Sequence, residues 1–421
     1  MSILKFVLFL MVYFFSICVK ADVLFIWSQV VSGNNLSVRA IVSLQDDCPI
    51  ISIDNQTRKM DIRAFPIYEK NAVFDNKVCE ALISNTAKVV KVGDDVIPVL
   101  PSKIKKIAII GDTGCRVSSY YQQNCKLQDT WPLEKILYQI SQHNPDLVIH
   151  VGDYLYREKD CVDDKECDKG IYGDNFNTWK LDWLAPSKLL SKKAPFIFVR
   201  GNHENCNRAY KGWFRYLSAS PFADISKEAC KGIVDSWVFT SHRLGICDLN
   251  FYIHDSSGIN EVLFSKQDIN NVRSGFLDKL DDKLPTWLLT HRPLWSYADR
   301  MGIIYYGNLL QVKAFGNILP KNLLAIVSGH LHIGQTLIIR IRDGKDVITQ
   351  VIVGNSGTKL DNVKFLKIHD IKIGDFAANN VQSVEGFGFA IAQLNKNYSI
   401  IKYYNVENKE VHQLKILNKI S

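Results

Sequence analysis

Beyond its first two dozen residues the sequence has no apolar run approaching the ~20 residues that span a bilayer, which argues against a helical membrane protein. Internal repeats and low-complexity tracts are missing too, so neither a solenoid nor a disordered chain is expected. The formal charge is +8, but the basic residues are scattered rather than clustered. Such a balance attracts anions weakly and leaves no nucleic-acid footprint. No GxSxG elbow joins a strand to a helix, and with it goes the commonest serine nucleophile of an α/β hydrolase.

What is present begins with Lys5 ahead of the apolar run Phe6 to Val19, then Lys20 and Ala21. This pattern reads as a cleavable export signal over residues 1–21, giving a secreted or periplasmic protein. Ten cysteines, nine of them beyond Cys18, are too many to leave as free thiols on an exported chain. Sequence proximity suggests the pairs Cys48 with Cys79, Cys115 with Cys125, Cys161 with Cys167 and Cys206 with Cys230. Cys247 is left over, in a run to Asp255 that reads as a buried strand. The sequons at Asn35, Asn55 and Asn397 matter only where exported proteins are glycosylated.

A length of 421 residues with 47% hydrophobic content allows a large core and about two or three domains. From Asp22 to residue 103, runs of β-branched and aromatic residues (Val23 to Val31, Leu36 to Val42, Met60 to Phe65, Lys88 to Val99) predict a small all-β, sandwich-like accessory domain. The character changes at residue 104, where a second domain, 104–421, begins. Here Ile107 to Ile110 runs into Gly111 and Asp112. Leu133, Ile136, Leu137 and Ile140 then recur at helical spacing, and Leu147 to Val151 leads into Gly152 and Asp153. Helices through Trp179 and Trp183, through Trp213 and Leu217, and from Gln267 to Leu280 are expected. Strands are expected at Phe196 to Val199, Trp287 to Thr290 and Leu324 to Val327. After Gln335 the runs Leu337 to Ile341, Val347 to Val353, Phe389 to Leu394, Ile400 to Tyr404 and Val411 to Leu417 are expected to complete a second sheet.

Five polar clusters follow apolar strands: Asp112 in GDTG, Asp153 and Tyr156 in GDYLY, Asn202 and His203 in GNHE, His291 in LLTHRP, and His330 with His332 in GHLH. The carboxyl ends of strands are where α/β sheets build their sites. Carboxylates, an amide oxygen and imidazoles together suit two hard or borderline metal ions, and glycines permit close backbone approach. A lone Gly-Asp is usually a turn and a lone strand-end histidine usually structural; the ordered set within one domain carries the weight.

This set resembles the signature of the calcineurin-like metallophosphoesterases and, within them, the purple acid phosphatases, the specific marker being Tyr156 three places after Asp153. The resemblance spans about Ile104 to Leu417. It implies an α/β fold in which an αββα sandwich of two mixed sheets follows the all-β region. It further implies two metal ions: Fe(III) held by Asp112, Tyr156 and His332, a bridging Asp153, and Fe(II), Zn or Mn held by Asn202, His291 and His330. A phenolate with carboxylates suits a ferric ion, and imidazoles with an amide suit the softer one. The implied activity is hydrolysis of phosphomonoesters through in-line attack by metal-bound hydroxide, with Asp153 and His203 catalytic and His203 stabilising phosphate or protonating the leaving alkoxide.

Arg116 and Arg157 are candidate contacts to phosphate oxygens, with surface ion pairs as the competing reading. Tyr154, His150 and His254 read as structural. Asp174, Asn175 and Trp179 are candidates for the pocket rim, and Asp255, Asn355 and Thr358 for contacts behind the ligands. The expected partner is a phosphorylated small molecule or peptide rather than nucleic acid. A phosphodiesterase or nuclease using the same centre is the first alternative, decided by loops around Tyr120, Asp163 and Tyr305. A non-catalytic binding protein ranks below both, because every expected ligand position is filled.

Overall fold

The computed structural model describes residues 22–70, 72–240, 249–277, 284–300, 302–315, 319–341, 346–363, 367–373 and 376–418. The expected export signal and Cys247 lie outside the described residues. Among the described residues no helix is long and apolar enough to cross a membrane.

Two large mixed sheets dominate the described residues. The first has Lys106–Ile110, Leu147–His150 and Phe196–Phe198 as its parallel centre. The second has Asn250–His254, Thr286–Thr290, Leu323–Ser328 and Asp346–Val353 as its parallel centre. Their near-continuous Val, Ile and Leu content follows from burial on both faces. Alternation decides which neighbour each residue meets. Ile107 and Ile109 face the core between the sheets, together with Ile149, Trp287, Leu289, Val327 and Val351. Ala108 and Ile110 face outward beneath Leu133, Ile136, Leu137 and Ile140 of the helix Leu133–Gln142. On the far side Leu288 and Ile326 pack with Phe276 and Phe315 from the helices Lys266–Leu277 and Leu309–Phe315. The layers are therefore helix, sheet, sheet, helix.

Part of the all-β region, with strands between residues 23 and 97, continues the first sheet, while Ile50–Ile53, Gln56–Lys59, Val90–Val92 and Asp95–Ile97 form a separate four-stranded sheet. Val23–Val31 pairs in parallel with Phe196–Phe198, and Asn35–Ser43, Asn76–Ser84 and Asp61–Ala64 follow outward from it. The Lys88 to Val99 run divides into Val90–Val92 and Asp95–Ile97 about Gly93, whose φ of 58° makes the tight turn. The carboxy-terminal expectation needs correction. Gly334–Ile341 and Asp346–Val353 do join the second sheet, but Gly388–Leu394, Tyr398–Asn405 and Glu410–Leu417 return to the first, beside Lys106–Ile110. The physical reason is two-sided burial: Ala390 and Ala392 enter the core between the sheets while Phe389 and Ile391 enter the helix-side core. Disulfides join Cys48–Cys79, Cys115–Cys125, Cys161–Cys167 and Cys206–Cys230, which points to an oxidising environment.

Candidate metal centre

Asp112, Asp153 and Asn202 follow the carboxyl ends of strands in the first sheet, and His291, His330 and His332 follow strands of the second. The site thus sits where the two parallel centres meet. Asp112, Asp153 and His330 adopt positive φ of 55°, 61° and 71°. Left-handed backbone at non-glycine residues costs about 1–3 kcal/mol each and marks functional turns. The neighbouring glycines are steric necessities. A Cβ on Gly201 would stand 2.1 Å from Asp153 Oδ1, and one on Gly329 would stand 2.3 Å from Asp112 Oδ2.

Tyr156 is the centre of one group. Its hydroxyl oxygen lies 2.8 Å from Asp153 Oδ2, 3.0 Å from Asp112 Oδ1 and 3.0 Å from His332 Nε2, with one proton for the two carboxylates. Asp153, His291 and His330 form a second group, with their candidate ligand atoms all within 4.8 Å of one another. His291 Nε2 is 3.1 Å from both Asp153 Oδ2 and Asn202 Oδ1. The two groups share Asp153. Backbone carbonyls set the rings: His291 Nδ1 meets Val151 O at 2.9 Å and His332 Nδ1 meets Lys359 O at 2.7 Å, leaving each Nε2 facing inward.

All seven residues are buried, Asn202 the most accessible at 9%. Burial pushes the Asp112 carboxyl well above its usual range, and the charge of Asp153 adds to this. Burial likewise pushes the Tyr156 hydroxyl up, reinforced by Asp112 and Asp153. For Asp153 burial also acts upward, but His291 and His203 outweigh it and hold the carboxyl well below its usual range. Crowded oxygen donors that repel one another in a dry site are what a cation relieves. The donor chemistry therefore fits metal ions.

His203 lies over Tyr156 with ring centroids 3.9 Å apart, its backbone N–H donating to Asp153 Oδ1 at 2.8 Å. Its Nε2 is 3.8 Å from Asp153 Oδ2 and its Nδ1 is 3.1 Å from Glu158 Oε1. The latter is an ion-pair distance. Burial pushes Glu158 up, but His203 and then Arg208 overcome it and lower the carboxyl.

The two candidate arginines part company. Arg116 is half-buried with its guanidinium 5.9 Å from the Tyr156 ring centre. Arg157 is corrected: it is 2% exposed, donating from Nε to Asp182 at 2.7 Å and from Nη1 to Asp168 at 3.4 Å, so its guanidinium is already engaged. Tyr154 packs among Trp179, Trp183, Phe198 and Trp213. Asp174 receives Trp179 Nε1 at 2.9 Å and Asp255 receives Arg200 at 3.3 Å. His150 contacts Thr113 at 2.9 Å and stacks on Tyr154.

Sequence reasoning missed four residues. Glu204 accepts from the backbone N–H groups of Asp153, Tyr154, Leu155 and Gly201 at 2.9–3.2 Å, tying two of the site loops together. Its place in GNHE was the available signal. Glu158, two residues past Tyr156, was equally near. Arg292 and Glu261 stand beside His330, with Arg292 Nη1 at 3.2 Å and Glu261 Oε1 at 3.1 Å from its Nε2. Arg292 adjoins His291, but Glu261 comes from a loop no motif marks, where Tyr305 donates to it.

A family model described as calcineurin-like phosphoesterase matches residues 105–334. No curated protein matches in sequence. Among solved structures, purple acid phosphatase PPD1 from yellow lupin (Lupinus luteus) seeds is similar at 13% identity, with 93% of this chain and 73% of that one covered and a TM-score of 0.55. A PhoD structure is similar at 9% identity, covering 92% and 88%, with a TM-score of 0.48. GAP50, the anchor in the inner membrane complex of Plasmodium, is similar at 14% identity, covering 75% and 90%, with a TM-score of 0.44. At these identities the lupin structure speaks for the fold alone.

Proposed function

The chain belongs to the calcineurin-like phosphoesterase family and is a phosphoester hydrolase, and from that premise we propose that it is a dinuclear, metal-dependent phosphomonoesterase of the purple acid phosphatase type. The observation that carries this reading is the Tyr156 hydroxyl, set 2.8–3.0 Å from Asp153, Asp112 and His332. In this reading Asp112, Tyr156 and His332 hold a ferric ion, Asn202, His291 and His330 hold Fe(II), Zn or Mn, and Asp153 serves both. Bound there, two ions supply charge neutralisation at the phosphoryl oxygens and activation of water. Residues 104–421 form the catalytic unit and 22–103 an accessory β region of an exported protein.

The chain's own residues orient and protonate. His203 presents Nε2 toward the shared carboxylate and Nδ1 toward Glu158, 3.1 Å away. Such a ring can hold a proton for the departing alkoxide. Arg116, beside the Tyr156 ring, is the arginine available to a phosphate oxygen. Glu204 holds the Asp153 and Asn202 loops at fixed separation through its backbone hydrogen bonds.

The test uses protein purified without chelators. A visible charge-transfer band is expected and should vanish in Tyr156→Phe while circular dichroism stays unchanged. The same samples should hydrolyse an aryl phosphomonoester at least tenfold faster than the matching diester. A colourless protein preferring the diester would overturn the reading.

A further inference from the structure

A cleft of about 820 Å³ opens beside His330, and Glu261 and Arg292, the two residues touching that ring, belong to its lining. Its volume falls in the range of sites that enclose whole organic ligands. The walls mix branched apolar side chains, among them Val234, Ile259 and Val262, with the amides of Asn205, Asn260 and Asn271. Of the charged side chains that reach it, Arg292 pairs with Glu261 at 2.9 Å and Arg200 with Asp255 at 3.3 Å, and the exposed Lys231 stands at its edge.

Gly275 supplies an independent observation. It lies inside the helix Lys266–Leu277 without positive φ, where glycine weakens a helix and no turn demands it. It also lines the cleft, and a Cβ built on it meets nothing within 4 Å. Gly275 is exposed, so a larger residue at this point of the lining would meet no neighbouring atom at its Cβ. Resting on the phosphomonoesterase reading, we propose that this cleft receives the leaving group of the ester, a ring-sized organic moiety that is apolar on its faces and hydrogen-bonding at its edge, and that Gly275 keeps the cleft open for it.

Gly275→Phe in the full-length protein is the probe, with Gly275→Ala as the control for helix stability by thermal melting. Two measurements are made at about pH 6. The first is the ratio of kcat/KM for 4-methylumbelliferyl phosphate to that for glycerol 2-phosphate. The second is direct binding of 4-methylumbelliferone, which carries no phosphate, by its fluorescence. The ratio should fall at least tenfold in Gly275→Phe, and saturable binding of the free phenol should be lost. A ratio unchanged within twofold, or phenol binding that is absent from the wild type or equal in both proteins, overturns the proposal. Failure to hydrolyse either ester counts against the phosphomonoesterase reading instead, and phenol binding then decides the cleft alone. Should Gly275→Phe not fold, Val234→Trp, at another residue of the same lining, is the second probe, and the same outcomes apply.

Discussion

At the scale of single residues the site was legible where chemistry and position coincide. Asp112, Asp153, Asn202, His291, His330 and His332 each follow an apolar strand, so the end of the hydrophobic run marked them and their donor types completed the pattern. Glu261 carries no such mark, because a loop residue is brought to His330 only by tertiary folding. Arg157 misled for the opposite reason: adjacency to Tyr156 says nothing about side-chain direction, and the Asp182 carboxylate had already claimed it. Glu158 allows a prediction at this scale. If His203 holds the proton for the leaving group, His203→Ala should lower kcat by about 10²–10⁴. Glu158→Gln, which keeps the ring and removes only the carboxylate 3.1 Å from its Nδ1, should lower kcat less. Metal content measured by mass spectrometry should stay constant in both; a loss of metal in His203→Ala would make the histidine a support for the site rather than an acid.

At the scale of elements, periodicity found the central strands to within a residue or two, since burial on both faces leaves a plain hydrophobic run. Asn76–Ser84 escaped because Lys77 and Glu80 interrupt its pattern. Glu80 has a structural task there. It accepts from Arg39 Nε and Arg63 Nη1, each at 3.0 Å, while those arginines donate to the carbonyls of Phe214, Tyr216, Ser218 and Ser220. The network fastens the β region to the segment beyond the His203 loop. Burial opposes ionisation of Glu80, yet Arg39 and Arg63 prevail and draw its pKa down to about 2. Burial lowers Arg39 to about 9, so it stays charged in acid and does not shape the acid window. A carboxyl depressed on folding contributes fully above its unfolded value near ~4.3 and loses that contribution as pH falls toward its folded value. Wild type should therefore exceed Glu80→Gln in unfolding free energy by on the order of 2–3 kcal/mol at pH 6, and the gap should shrink between about pH 4.5 and 2. Denaturant unfolding at several pH values reads this directly, and a gap independent of pH would remove the role assigned to the ion pairs.

For the whole molecule, the alternation of strands and helices indicated a layered α/β fold, but not the return of the last three strands to the first sheet. That choice depends on which face each residue buries, and a run such as Gly388–Leu394, buried on both faces, carries no preference in its sequence. The route matters because the proposed centre draws on both sheets. Asp112, Asp153, Tyr156 and Asn202 follow strands of one, His291, His330 and His332 follow strands of the other, and Asp153 joins the two groups of donors. Ions bound there would act as staples across the sheet interface and relieve the repulsion that burial imposes on Asp112 and Tyr156. A ligand that binds only the folded state stabilises it by about 3–4 kcal/mol when present at 100–1,000 times its dissociation constant. Chelation should thus lower Tm by on the order of 5 °C or more, and restoring Fe, Zn or Mn should recover it in a concentration-dependent manner. Asp153→Asn should lose most of this dependence, since it weakens both groups at once, whereas Asn202→Ala should retain part of it. Calorimetry with and without chelator reads the effect without reference to turnover. A Tm indifferent to metal in the wild type would mean that the sheets are held by their shared core alone and that the donors do not bind ions in the folded protein.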